Sequence, residues 1–228
     1  MNNFLELKKI SKSFKTGNTV NVLKNLSQKF EKGKTYSIMG PSGSGKSTLL
    51  NLISLIDRPS FGSINFDKVQ VNYDDTEKND IFRSKKIGII YQQNNLLPDF
   101  TALENIYLAS LAVNNNKKLA NYNAEKLLKK IGLSKRAGHF PSQLSGGEAQ
   151  RIAIARAIVN DPEIILADEP TGSLDMETAK DIFELLNNQK RSDRLIIFAT
   201  HNRFFANKAD YLLEIRDGSI KSDNAWVS

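Results

Sequence analysis

Gly40-Pro41-Ser42-Gly43-Ser44-Gly45-Lys46-Ser47-Thr48 decides the fold. A β-type run, Thr35-Tyr36-Ser37-Ile38-Met39, precedes it. Apolar residues at helical spacing, Leu49, Leu50, Leu52 and Ile53, follow it. Strand, glycine loop and helix in that order turn Gly-x-x-x-x-Gly-Lys-Ser into a phosphate cradle. The glycines let backbone N–H groups face inward toward an anion, and the helix beginning near Lys46 adds its positive dipole end. In such a cradle Lys46 reaches the β- and γ-phosphates and the Ser47 hydroxyl binds Mg²⁺. Without its flanks the stretch would be an ordinary glycine-rich turn.

Downstream of the cradle, three strand ends carry polar groups. Ile164-Ile165-Leu166-Ala167 is a short run apolar on both faces, hence a buried parallel strand, and it ends in Asp168-Glu169. Beside a phosphate loop this is the arrangement in which the first carboxylate holds Mg²⁺ through its water shell and the next polarises the attacking water as general base. Ile87-Gly88-Ile89-Ile90-Tyr91 reads as another buried strand ending at Gln92, and Leu195–Ala199 as a third ending at Thr200-His201. Ligand-facing residues of open α/β sheets stand at such ends. An amide there touches metal and water; an imidazole there hydrogen-bonds the γ-phosphate.

Upstream, residues 1 to about 35 read as short strands with turns at Gly17-Asn18 and Lys32-Gly33-Lys34, an antiparallel β layer. Phe14 sits there on a polar stretch, Ser11-Lys12-Ser13-Phe14-Lys15, either as a core anchor or as a stacking plate for a planar ligand. Ser63-Ile64-Asn65-Phe66 alternates like an edge strand, and residues 67–86 read as a loop with one helical piece near Asp80. From Leu96 to about Gly138 the spacing is helical, with Asn114-Asn115-Asn116-Lys117-Lys118 as a solvated linker between two helices. A helix over Met176–Gln189 and a hairpin of Tyr211–Arg216 with Ser219-Ile220-Lys221 close the chain, whose last few residues should fray.

The bulk composition excludes several chemistries. The 228 residues contain no cysteine, which removes disulfides, thiol catalysis and cysteine–zinc sites, and only two histidines, His139 and His201. The start, Met1 to Lys9, lacks the apolar stretch of a signal peptide, and no apolar run approaches a membrane span, so the protein is expected to stay in the cytoplasm. The net charge of +7 comes from scattered lysines with no basic–aromatic pattern for RNA; no nucleic-acid partner is expected.

The most specific signal is Leu144-Ser145-Gly146-Gly147-Glu148, at the start of a helix carrying Ile152, Ile154, Ala155 and Ile158. It is a second anion-binding helix start in a chain that already has one phosphate cradle. Here the sequence resembles the ATP-binding cassette (ABC) ATPases, whose signature is Leu-Ser-Gly-Gly-Glu, and the resemblance covers essentially the whole chain.

That resemblance implies an α/β P-loop NTPase fold of the ABC type. A RecA-like core with an antiparallel β layer would occupy about 1–92 and 160–228, and a helical signature subdomain about 93–159. It implies ATP and Mg²⁺ as ligands. Gly40 to Thr48 become the Walker A loop, Phe14 the adenine-stacking aromatic and Gln92 the Q-loop residue. Asp168 becomes the Walker B metal ligand, Glu169 the catalytic base, Asp175 (in Ser173-Leu174-Asp175) the D-loop carboxylate and His201 the switch histidine. It also implies a head-to-tail homodimer, in which Ser145, Gly146, Gly147 and Glu148 of one copy close on the ATP held by the other.

Within the family, Tyr91-Gln92 followed by Leu96 to Asn105 is most similar to the lipoprotein-releasing ATPases (LolD), and Ala167 to Gly172 with Arg216-Asp217-Gly218 is similar to that group and to its macrolide-export (MacB) and cell-division (FtsE) relatives; the implied work is release of lipoproteins from the inner membrane, with export or cell division as the alternative. For that group an integral membrane permease, contacted through a groove that Leu97 and Phe100 would line, is the implied partner, and the inner face of the inner membrane the implied location. The alternative for Leu97 and Phe100 is packing inside the helical lobe. Departures from the group are Gln93-Asn94-Asn95, Ser173, Asn202 after the histidine, and Ala149. A soluble ABC ATPase acting on DNA or ribosomes usually carries two cassettes or a long coiled-coil insertion, and this chain has neither.

Overall fold

The computed structural model describes residues 3–225; the expected fraying of the last residues lies outside them. In chain order the elements begin with β1 (Asn3–Thr16), β2 (Asn18–Glu31), β3 (Thr35–Met39), α1 (Lys46–Ile53), β4 (Phe61–Phe66), β5 (Val69–Gln70), α2 (Thr76–Lys86) and β6 (Ile87–Ile90). There follow α3 (Ala102–Asn114), α4 (Lys117–Lys130), α5 (Gly146–Ile158), β7 (Ile164–Asp168), α6 (Met176–Asn187), β8 (Leu195–Ala199), α7 (Arg203–Ala206), β9 (Tyr211–Arg216) and β10 (Ser219–Ala225). Two compact units result: Met1–Asp80 with Lys190–Ser228, and Ile81–Gln189. The helical region expected over about 93–159 falls inside the second unit, which also holds β6, β7 and α6.

In the first unit an antiparallel sheet runs in the order β2-β1-β4-β5. The expected short strands at the N-terminus are two strands of 14 residues each. Bulges explain the difference. Besides Phe4 near its start, the buried residues of β1 are Leu5, Leu7, Ile10 and Lys12, and the pairing register shifts between Leu7 and Ile10. In β2 the buried set Leu23, Leu26 and Phe30 changes parity across Asn25, whose φ is 51°. Each bulge restores the apolar set to one face at the cost of strict alternation. Nor is β4 an edge: Asp67 and Lys68, at φ 46° and 68°, turn the chain back so that β5 pairs with Phe66 and Asn65.

The second sheet of this unit is mixed. β3 lies parallel between β8 and β9, and β10 is antiparallel to β9. Its central strands are buried, β3 from Thr35 to Ile38 and β8 along its full length, and Tyr36 of β3 stacks on Tyr211 of β9 with ring centroids 4.7 Å apart. Where β3 begins, Asp210 accepts from the Thr35 N–H (2.7 Å), the Thr35 hydroxyl (2.8 Å) and Lys190. Burial pushes the Asp210 carboxyl up, but these donors outweigh it and hold the group below the usual range.

In the second unit β6 and β7 pair in parallel, Ile87 to Ile164 through Ile90 to Ala167. The helical part packs Ala102 and Ile106 of α3, Ala124 and Leu128 of α4, and Ile152 and Ala155 of α5 into one core. The expected linker between α3 and α4 shrinks to two residues. Asn115 ends α3 in the left-handed region (φ 47°), and the Asn116 side chain caps α4 by accepting from the Leu119 N–H at 3.1 Å. Asn114, Lys117 and Lys118 are therefore helical.

Candidate active site

The phosphate loop leaves β3 within the first unit. A side chain on Gly40 would place its Cβ 2.2 Å from the Ile215 carbonyl oxygen, and Gly45, at φ 105°, would bring one within 2.7 Å of Leu23. Neither position admits a Cβ, so the loop's path is fixed by glycine. Gly45 caps α1 with no side-chain hydrogen bond, and the first turn of α1 has no acidic residue. By contrast α3, α5 and α6 each have a side-chain cap and a glutamate in the first turn. The unmet N–H groups of α1 and its dipole are thus left for an external anion.

The donor set fits a triphosphate. The Ser44 hydroxyl is buried inside the loop with no hydrogen-bond partner among the described residues. Lys46 is buried, and its ammonium folds over the loop, donating to the carbonyls of Gly40 (2.8 Å) and Pro41 (3.1 Å). Pro41, Ser42, Gly43 and Ser47 are exposed, and Thr48 is half-buried. His201 follows β8 in the same unit and lines a cleft of about 480 Å³ with Met39, Gly40, Pro41, Arg203 and Glu214. The Asn202 side chain is occupied as the cap of α7, accepting from the Phe204 N–H at 2.9 Å. Phe14 is exposed rather than a core anchor, and the Lys12 ammonium lies 4.8 Å from its ring centroid. Asp57 (2.6 Å) and the Arg58 carbonyl (2.9 Å) hold that ammonium in place.

The second unit carries the remaining groups. Because β6 and β7 pair in register, Gln92 and Asp168-Glu169 leave neighbouring strand ends. Asp168 is half-buried; Glu169 is buried and takes a φ of 46°. The Gly172 N–H donates to the Glu169 carbonyl at 3.0 Å. The point where a Gly172 Cβ would sit is 3.4 Å from the Glu169 Cβ and 3.5 Å from the Gln92 amide nitrogen. The candidate base and the candidate water-positioning amide are thus neighbours.

Ser145 accepts from the Glu148 N–H at 3.2 Å while Glu148 accepts from the Ser145 N–H at 2.8 Å, a reciprocal cap that starts α5. The other Glu148 oxygen accepts from Arg136 at 2.8 Å. Both carboxylate oxygens are committed to shaping the helix start. The Ser145 N–H first and Arg136 next hold the Glu148 carboxyl below its usual range. The signature glycines lie against the segment after Glu169: a Cβ on Gly146 would be 3.3 Å from Leu174 and one on Gly147 2.6 Å from Thr178. Asp175 caps α6 by accepting from the Glu177 and Thr178 N–H groups, and hydrogen bonds from Thr178 hold its pKa down.

Among the described residues no group of three His, Asp or Glu side chains forms a metal centre. Mg²⁺ keeps most of its waters and takes one or two carboxylates plus phosphate oxygens, and Asp168 is a carboxylate of that kind at a strand end. No helix among the described residues is long and apolar enough to cross a membrane.

Sequence reasoning missed Asn105, 1% exposed on α3, which binds the loop before its helix through four hydrogen bonds. It also missed Gln150 and Arg156 on α5, whose side chains reach the segment after β6. The available signal was a polar residue on an otherwise apolar helix face, as with Asn105 between Ala102 and Ile106. Leu97 and Phe100, on the loop that Asn105 binds, are exposed rather than packed inside the lobe.

Residues 23–172 match the ABC transporter family. The chain is 41% identical over 218 residues to the lipoprotein-releasing system ATP-binding protein LolD of Ehrlichia ruminantium (strain Gardel), covering 95% of this chain and 96% of that protein. It is 42% identical over 222 residues to the macrolide export ATP-binding/permease protein MacB of Mannheimia succiniciproducens, where it spans 97% of itself but only 34% of the relative. The ABC transporter ATP-binding protein YvrO of Bacillus subtilis is 42% identical over 220 residues. The dimeric, post-hydrolysis structure of the ATP-binding cassette MJ0796 bound to ADP and Pi superposes with a TM-score of 0.91 at 36% identity, covering 98% of this chain and 99% of that one. By sequence along nearly its whole length and by fold, the chain belongs to the ABC transporter family, as one of its ATPase cassettes.

Proposed function

We propose that this ATPase works as a head-to-tail homodimer that drives a membrane permease, and that the work is release of lipoproteins from the inner membrane. The observation that carries the catalytic part is the buried Glu169 at φ 46°, beside the Gln92 amide and next to Asp168. A carboxylate at the end of a buried strand, one residue after the proposed metal-binding one, is placed to take a proton from water.

In this reading Phe14 stacks on adenine and Gly40 to Thr48 hold the phosphates. Lys46 leaves the Gly40 and Pro41 carbonyls for the β- and γ-phosphates. Ser47, Asp168 and Gln92 would hold Mg²⁺, which would supply charge neutralisation to the triphosphate. Glu169 accepts the proton of the attacking water, Gln92 orients that water, and His201 hydrogen-bonds the γ-phosphate. Ser145, Gly146 and Gly147 of a second copy form the other wall, with Glu148 fixing its shape and Asp175 the segment behind it. The dimeric assembly of MJ0796 supports the pairing.

The LolD relatives support the cargo, since they match this chain over almost their full length. MacB supports a second reading, an ATPase for export, because its ATP-binding portion is equally similar. The same location, the cytoplasmic face of the inner membrane, follows from either. We test the catalytic reading with Glu169→Gln: ATP still binds, turnover falls about 100-fold or more, and the protein accumulates as a dimer with ATP. Near-normal turnover would sink the assignment of the base. The cargo reading is tested by the membrane proteins that copurify. A lipoprotein-releasing permease supports it, and a macrolide- or peptide-export permease replaces it with the second reading.

A further inference from the structure

Three carbonyls of the segment Tyr91 to Asn95, which contains Gln92, are gripped by one helix. The Arg156 guanidinium forks, donating to the Asn94 carbonyl at 2.7 Å and to the Asn95 carbonyl at 2.7 Å. Gln150, about 1.7 turns earlier on α5 and 3% exposed, donates its amide to the Tyr91 carbonyl at 3.3 Å. Asn94 and Asn95 have φ values of 34° and 47°, the left-handed region that side chains rarely adopt. Two consecutive residues persist there only when the surroundings over-determine them. A backbone turned this way aims its carbonyls out of any ladder, and they need donors from elsewhere. A planar guanidinium supplies two in a fixed fork, which a lysine cannot.

The same helix begins at the Ser145 cap, and its 13 residues run unbroken from Gly146 to Ile158. Ile152 and Ala155, between the two donors, are fully buried in the core formed with α3 and α4. At about 1.5 Å per residue α5 is a rod on the order of 20 Å long. Its first turn carries the signature residues, and its last turn holds the loop that carries Gln92.

We infer that Arg156, aided by Gln150, is a positioning residue that ties the Gln92 loop to the signature helix, so that nucleotide engagement at Ser145–Gly147 is transmitted along α5 to Gln92. A displacement of the helix start tilts the rod, and Arg156 carries the carbonyls of Asn94 and Asn95 with it. Each copy's Gln92 is thereby informed of whether its own signature is docked on the partner's nucleotide. This rests on the proposed role of Gln92 at the metal and water.

The test is a double-mutant cycle on the full chain, read by steady-state ATPase kinetics at varied ATP and Mg²⁺. Arg156→Lys should lower kcat about tenfold, leave KM for ATP within about twofold and raise the Mg²⁺ concentration for half-maximal rate. Gln150→Leu should show the same split more weakly. In a Gln92→Ala background Arg156→Lys should cause no further loss beyond about twofold, because its effect runs through Gln92. The inference is overturned if Arg156→Lys and Gln150→Leu keep wild-type kcat, or if Arg156→Lys lowers kcat by the same factor with and without Gln92. Full turnover in Gln92→Ala alone would instead overturn the role of Gln92, and the tie with it.

Discussion

Glu169 and Gly172 are joined by a backbone hydrogen bond of 3.0 Å, from the Gly172 N–H to the Glu169 carbonyl, and Glu169 holds a left-handed φ of 46° inside the turn. A non-glycine residue in that region costs roughly 1–3 kcal/mol. The position therefore favours glycine for stability and a carboxylate for chemistry. Glu169→Gly and Glu169→Ala both remove the side chain, but only glycine relaxes the backbone. Thermal melting should place Glu169→Gly above Glu169→Ala by about 2–12 °C, with turnover severely reduced in both variants. Equal melting temperatures would show that the turn carries no strain.

Phe14 presents its exposed ring with Lys12 fixed near one side of it. Phe14→Ala should raise KM for ATP about tenfold, in line with roughly 1–3 kcal/mol per stacked base, and leave kcat nearly unchanged. Phe14→Tyr should bind ATP like the parent. Titration with a fluorescent ATP analogue checks both. Unchanged affinity in Phe14→Ala would place adenine elsewhere.

Asn105 accepts from the Leu97 N–H at 2.7 Å and donates to the carbonyls of Leu97, Phe100 and Thr101 at 3.0–3.1 Å. One buried amide thereby fixes the loop that displays Leu97 and Phe100. Asn105→Ala takes the side-chain partner from the Leu97 N–H and the Phe100 carbonyl, and leaves the Leu97 and Thr101 carbonyls with the backbone N–H groups of Phe100 and residue 105, a loss of about 2–3 kcal/mol, read as a fall in melting temperature of several degrees. Asn105→Asp sets an acceptor against three carbonyls and should be worse. Pull-down of the proposed permease partner should weaken in Asn105→Ala while basal ATP turnover persists. The substitution of charged residues at Leu97 and Phe100 should uncouple the permease without a loss of stability.

The reciprocal cap of α5 gives a pH dependence. The Ser145 N–H, then Arg136, lower the Glu148 pKa from its ordinary value of 4.5 in the folded state. A depressed carboxyl pKa stabilises the fold above the unfolded value and loses that stabilisation as pH falls through the lower, folded value. Glu148→Gln should therefore melt below the parent at pH 7, and the gap should persist to about pH 5 and close as pH drops below 4.5. A gap independent of pH across this window would show that the charge of Glu148 contributes nothing to the cap.

Much of the molecule was legible in the sequence because its signals are local. Gly40 to Thr48, the apolar run before Asp168-Glu169 and the cap at Ser145 declare themselves within ten residues of chain, since backbone conformation, helix starts and buried strands are set by neighbours. The 14-residue strands of the N-terminal layer were not legible, because bulges near Lys9 and Asn25 break the period of two on which strand reading depends. The sequence alone determined the class of chemistry, an ATPase: residue types at fixed spacing mark the candidate phosphate cradle, metal carboxylate and base. Only the tertiary structure decided what holds those groups in place. The contacts of Arg156 with Asn94 and Asn95 span 62 and 61 residues, and that of Gln150 with Tyr91 spans 59. Such pairings depend on how α5 packs on its neighbours, a property of shape and volume that no local pattern encodes.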